Sequence, residues 1–185
     1  MIVFEKISPE NTAEALPLAF GKATALSTDI VLATTTGASA LEAIAYAKKI
    51  GFSGKIIAIT HVWGMKNLGE NELSDDNRKK LENMGAHIIT AAHTLSGVER
   101  SLNGKFGGVY PVEIMAHTLR MFCEGVKVCV EVSAMALDAG AIKYQSPVVA
   151  LGGTGRGLDT ACVITPGYSA KIFETRIHEI ICKPY

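Results

Sequence analysis

The order of short apolar runs and helix-forming segments constrains this chain more than any other feature. Asp29–Thr34, Lys55–Thr60 and Ala86–Thr90 are dominated by Ile, Val, Leu and Ala and are flanked by polar or small residues. Runs of this length that are apolar throughout, rather than alternating, read as strands buried on both faces. Between the first two lies an Ala-, Leu- and Ile-rich segment, about 38–50, closed by Gly51 as a helix C-cap. Between the second and third, Ser74-Asp75-Asp76 opens a charged helix that stops at Gly85. Strand–helix–strand–helix–strand predicts an α/β fold with a mostly parallel sheet and right-handed crossovers.

The flanking segments extend this pattern. Ser8-Pro9-Glu10 reads as an N-cap with proline at the first helical position, and predicts a helix over 9–26 that Pro17 should kink. Residues 91–110 form a long glycine-containing loop in which Ser96–Glu99 suggests a capping box for a short helix. Pro111 starts a helix with Val112, Met115, Leu119 and Phe122 on one core-facing stripe. In 126–140, Val126, Val128, Val130 and Val132 alternate like a strand, yet Ala134–Gly140 reads as a helix end, and helix is expected throughout. Pro147–Leu151, Thr160–Thr165 and Ile177–Ile181 are expected strands.

Bulk chemistry excludes several function classes. The 185 residues suit one domain, taken as 1–185. Lysine plus arginine and aspartate plus glutamate are both 18, so the formal charge is zero. That argues against nucleic acid and against a charged membrane surface as partner. Apolar residues are 48% of the chain, no apolar run is long enough to span a bilayer, and self-association is permitted. Cys123, Cys129, Cys162 and Cys182 form no C-x-x-C pair, which favours buried reduced thiols in a cytoplasmic protein; a disulfide stays open. The five histidines show no zinc-like spacing, so no metal is expected.

Two small-residue loops follow expected strands, where ligands bind in open α/β sheets. In the first, Thr35, Thr36, Gly37, Ala38 and Ser39 lead from strand to helix. Free N–H groups at a helix start suit phosphate, the hydroxyls add donors, and Gly37 would let a ligand approach the backbone. The competing reading is an ordinary N-capped turn. No P-loop lysine follows, so nucleotide hydrolysis is not expected. The second loop is Gly152, Gly153, Thr154, Gly155, Arg156 and Gly157. Successive glycines can form a nest of N–H donors, and Arg156 adds a fork for phosphate or carboxylate. The alternative is a flexible turn, and the spacing is not that of a dinucleotide fingerprint.

Other positions carry weaker signals. His61, Val62 and Met65 follow the second strand, and His93, Thr94 and Ser96 the third, so all are candidates for the same cleft. Each histidine is otherwise an ordinary loop residue. Glu131 and Asp138 are seven apart and share a helix face, expected to be a solvated stripe rather than a catalytic pair. No serine, histidine and acid are ordered as a triad.

The run Ile30-Val31-Leu32-Ala33-Thr34-Thr35-Thr36-Gly37-Ala38-Ser39-Ala40, with Lys55–Thr60 after it, resembles the C-terminal domain of pyruvate kinase. The resemblance implies that Thr35, Thr36, Gly37, Ala38 and Ser39 hold a phosphate, as this loop does for sugar-phosphate effectors. A catalytic (β/α)₈ barrel needs about 250 residues, so the kinase reaction itself is not expected. A fuller resemblance is to small stand-alone proteins of the pyruvate kinase C-terminal-like family. It rests on Pro9-Glu10-Asn11-Thr12, His93–Arg100, Phe106-Gly107-Gly108, Lys127–Glu131 and Gly152–Thr160. It implies a three-layer α/β/α fold and, for some members, bound flavin mononucleotide (FMN), which is therefore the expected cofactor. Gly107 joins the candidate ligand residues on this ground. Pro17 departs from the uninterrupted first helix the resemblance implies.

These readings give three functional expectations. The first is a binding module for a phosphorylated small molecule, FMN foremost, at the C-terminal edge of the sheet. The second is a small flavin-dependent oxidoreductase, ranked lower because no acid–base residue stands out. The third is a sugar-phosphate-sensing module without flavin.

Overall fold

The computed structural model describes residues Met1–Tyr185. Seven strands, β1 (Ile2–Phe4), β2 (Ile30–Ala33), β3 (Ile56–Thr60), β4 (His87–Thr90), β5 (Val148–Gly152), β6 (Thr160–Thr165) and β7 (Arg176–Pro184), form one sheet. The strand order is β1-β7-β6-β5-β2-β3-β4. All neighbours pair in parallel except β6, which runs antiparallel to β5 and to β7. Six α-helices accompany it: α1 (Thr12–Leu26), α2 (Ala38–Ile50), α3 (Asp75–Asn83), α4 (Glu99–Phe106), α5 (Pro111–Arg120) and α6 (Glu124–Asp138). None is long and apolar enough to cross a membrane.

Alternate strand residues feed two cores, which produces the three layers. Ile30, Leu32, Ala58, Val149 and Leu151 join Leu16, Phe20, Ile44 and Leu81 beneath α1, α2 and α3. Val31, Ile57, Ile59 and Val148 face Val132, Met135 and Leu137 of α6. Ala150, Cys162 and Ile164 continue that layer under α5 and the start of α6. The polar helix α3 is anchored by Leu81 alone, whose complete burial contributes about 2 kcal/mol.

The expected caps form at two helices. The Ser8 hydroxyl accepts from the Glu10 N–H at 3.2 Å, and the Ser74 hydroxyl from the Asn77 N–H at 3.3 Å. Pro9–Asn11 is a 3-10 turn, and α1 begins at Thr12. Helix α1 runs continuously through Pro17. The proline lies on the exposed face, as does Ala13, whose carbonyl loses the usual i+4 donor, so water can serve that oxygen. The Ser96 capping box does not form. Instead Glu99 reaches α5, where its carboxylate accepts from the Val112 and Glu113 N–H groups at 2.9 and 3.2 Å.

The α6 segment is helical despite its valines. Each β-branched residue lowers helix propensity by roughly half a kcal/mol, whereas burying a valine gains about 1.5 kcal/mol or more. Burial wins because the helix is enclosed on nearly all sides. The stripe on α5 is only half-buried, and Phe122, beyond the helix end, is 55% exposed rather than core. All four cysteines are free, and three are buried. Burial pushes the Cys182 thiol to about 12 and the Cys129 thiol well above its ordinary value, so neither supplies a thiolate near neutrality.

Candidate functional site

The chain leaves β2 toward β3 and returns to the other side of β2 at β5, so the winding order reverses between β2 and β5. At the C-terminal ends of these strands lies a cleft of about 570 Å³. Such switch points leave a crevice because the flanking loops run to opposite faces. The volume is within the range of small-molecule sites.

The loop between β2 and α2 forms one rim. Thr35, Thr36, Ala38 and Ser39 line the cleft. The Thr34 hydroxyl accepts from the Gly37 N–H at 3.2 Å, and Asn77 of α3 donates its amide to the Thr36 carbonyl at 2.9 Å. Gly37 itself does not line the cleft, and the reason for glycine is internal. Its φ is +95°, and a Cβ there would lie 2.8 Å from Leu73 Cδ1 and 3.3 Å from Leu81 Cδ1. No side chain caps α2, so its first N–H groups stay available. Each of the other five α-helices carries a carboxylate in its first turn, and α2 carries none.

Gly153, Gly155, Arg156 and Gly157 line the opposite rim. This loop spends much of its donor capacity on itself. The Thr154 N–H donates to Asp159 Oδ2 at 3.2 Å, and the Arg156 N–H to the Thr154 carbonyl at 3.0 Å. The expected anion nest is therefore partly filled by the chain's own buried Asp159, and Arg156 contributes through its side chain. Gly152 and Thr154 do not line the cleft. A Cβ on Gly152 would lie 2.7 Å from the Gly125 carbonyl, so this glycine lets α6 approach β5. The Thr154 hydroxyl is buried without a hydrogen-bond partner.

From the third and fourth strand ends the cleft receives His61 and His93, whose ring centroids are 5.3 Å apart. His61 Nδ1 is 2.7 Å from Glu72 Oε2. Burial holds His93 below its ordinary value, with Glu131 opposing the shift, so its ring is neutral near pH 7. Val62, Met65 and Thr94 do not line the cleft. Ser96 lines a second cavity of about 440 Å³ between α4, α5 and α6. Gly107 caps α4 at φ +71° and lines neither.

Sequence reasoning missed the α6 wall. Glu124, Val128, Glu131, Val132 and Met135 all line the cleft. Their spacing is helical, and that periodicity was the available signal. Glu131 is not a solvated stripe residue. It is 5% exposed, accepts from Lys127 Nζ at 2.5 Å, and accepts from the Leu95 N–H at 2.8 Å. Asp138 is exposed and caps the Ser169 N–H at 3.0 Å. Lys66 and Glu72, on the segment after β3, were missed as well.

The charges of the cleft are unevenly partnered. Glu72 meets His61, Glu124 meets Arg120 at 2.6 Å, and Glu131 meets Lys127. Lys66 and Arg156 are exposed and pair with no carboxylate. Two free cations and an uncapped helix start suit an anionic ligand. No cluster of three or more His, Cys, Asp or Glu side chains has the arrangement to hold a metal ion. Compared with known families, residues 20–164 match the model of the family described as pyruvate kinase, alpha/beta domain.

Proposed function

The chain belongs to the pyruvate kinase alpha/beta domain family, and on that premise we propose that its cleft binds a phosphorylated small molecule, with FMN as the ligand. One observation carries the phosphate: α2 is the α-helix without a first-turn carboxylate, and Thr35, Thr36 and Ser39 surround its start. An anion there receives helix N–H groups and hydroxyl donors together. Arg156 and Lys66 add unpaired positive charge.

The remaining lining is compatible with a flavin. Val128, Val132 and Met135 give an apolar strip for one face of a planar ring. His61 and His93 offer ring-edge donors or acceptors. When bound, FMN would supply redox chemistry, and the chain would supply orientation and exclusion of water. The polarity of most of the wall favours a second reading, a sugar phosphate, held by the same cradle.

Mass spectrometry of the co-purifying small molecule, with calorimetric titration of FMN and riboflavin, tests the proposal. FMN should bind at least tenfold more tightly than riboflavin. Ser39→Glu puts like charge beside the phosphate and should weaken FMN about 100-fold, about 2.7 kcal/mol, with riboflavin little changed. Equal weakening of both ligands contradicts the phosphate placement. Tight binding of a sugar phosphate without FMN favours the second reading.

A further inference from the structure

The chain's one tryptophan has no part in the core. Trp63 is 57% exposed, and nearby Leu68 is 95% exposed. Both lie on the segment joining β3 to α3, whose two ends are fixed. The Thr60 hydroxyl meets that of Thr90 at 2.7 Å, and Leu73 is buried against the position of Gly37.

Between those anchors the segment is folded on itself. The Gly64 N–H donates to the Glu70 carbonyl at 2.8 Å, and the Asn67 amide to the Glu70 carboxylate at 2.8 Å. Across the neck, the Asn71 amide donates to the His61 carbonyl at 3.0 Å, and His61 meets Glu72. Beyond the neck, its one hydrogen bond to another element runs from Arg100 to the Met65 sulfur at 3.4 Å. Compact loops with joined ends and few outside ties move as units and are often functional. Here His61, Lys66 and Glu72 point the unit at the cleft, and no Phe, Tyr or Trp lines that cleft.

We propose that residues 62–71 close over the cleft as a flap and that Trp63 stacks on a planar heteroaromatic ring of the ligand. The ligand class is then a phosphate monoester carrying such a ring, which a sugar phosphate lacks. This rests on the phosphate site proposed above and adds the element that reads the ring. Internal hydrogen bonds let the flap turn about its neck without being remade. The indole supplies the flat π-surface missing from the cleft walls, and such stacking strengthens binding by about tenfold or more.

The test compares the unaltered protein with Trp63→Ala and Trp63→Phe by titration with FMN and with inorganic phosphate, and by sedimentation. Trp63→Ala should weaken FMN about tenfold, Trp63→Phe should retain most of the affinity, and phosphate binding should be unchanged in both. Flavin fluorescence should be quenched in the unaltered complex and brighter with Trp63→Ala. Equal FMN affinity in the unaltered protein and Trp63→Ala overturns the flap role and leaves the phosphate site standing. Failure of the unaltered protein to bind FMN while it still binds phosphate overturns the flap role and leaves the phosphate site standing, and failure to bind either overturns both. A change of oligomeric mass in Trp63→Ala at constant affinity makes Trp63 a contact between copies and also overturns it.

Discussion

The rim formed by the start of α2 and the segment after β3 face the same cleft, yet they are held by different kinds of contact. The α2 rim is wedged from behind. Leu73 and Leu81 fill the space beneath Gly37, and Asn77 grips the Thr36 carbonyl. The β3 segment is held by its own hydrogen bonds and a narrow neck. The contrast teaches where this fold invests rigidity. The hydroxyls and free N–H groups at the head of α2 sit on the core, and the segment after β3 sits on a self-contained loop.

The largest expected effect lies in the buried α6 wall of the cleft. Lys127 and Glu131 side chains are each 7% exposed, so Lys127→Met leaves a buried carboxylate without its cation. Urea denaturation should show a loss of about 3–5 kcal/mol. Lys127→Met with Glu131→Gln should recover most of it, since the glutamine oxygen still accepts from the Leu95 N–H. A cost no larger than that of a flap substitution would break the distinction.

Two glycines sharpen it further. Gly37→Val meets both the +95° backbone and Leu73, and should lower stability by about 3 kcal/mol. Gly69 on the flap has a similar φ of +78° but nothing within 4 Å of a Cβ. Gly69→Ala should cost only about 1 kcal/mol, from backbone strain alone. Thermal melts of the two variants measure the difference, and equal costs would mean that the rim is not wedged.

The smallest effect is a pH dependence. Burial depresses His93 below its ordinary 6.5, so the unfolded chain takes up this proton at higher pH than the folded one. Stability from this residue is therefore intact above about pH 6.5 and is lost as pH falls toward the folded value. His93→Gln should flatten that part of the stability profile while leaving the region above pH 7 unchanged. An unchanged slope below pH 6.5 would show that His93 is not the group responsible.

The sequence made the central sheet readable because strands buried on both faces must be apolar throughout, as Ile30–Leu32 and Ile56–Ile59 are. Strand β1 was invisible. It is three residues long, two of them exposed, and it pairs with Cys182–Pro184 at the far end of the chain. Thr35, Thr36 and Ser39 were legible as cleft residues because hydroxyls before a helix have local meaning, whereas Gly37 serves the packing of Leu73 and Leu81. The α6 wall was obscured by its valines, and Glu131 read with Asp138 suggested a solvated stripe, whereas Lys127 four residues before Glu131 forms an internal pair with it. The β5–β6 loop was half-legible. Its glycines do reach the cleft, but Gly153 is needed because Gly157 folds back on it, where a Cβ would lie 2.3 Å from the Gly157 carbonyl. Close approaches of that kind leave no local pattern.

The missing carboxylate at the head of α2 has a practical consequence. On the proposed phosphate reading, the unanswered partial charge there does not discriminate among small oxyanions, so sulfate or phosphate from a buffer should compete with the ligand. Melting temperature and apparent affinity are then joint properties of the protein and its salt, and become comparable only when the anion is held constant.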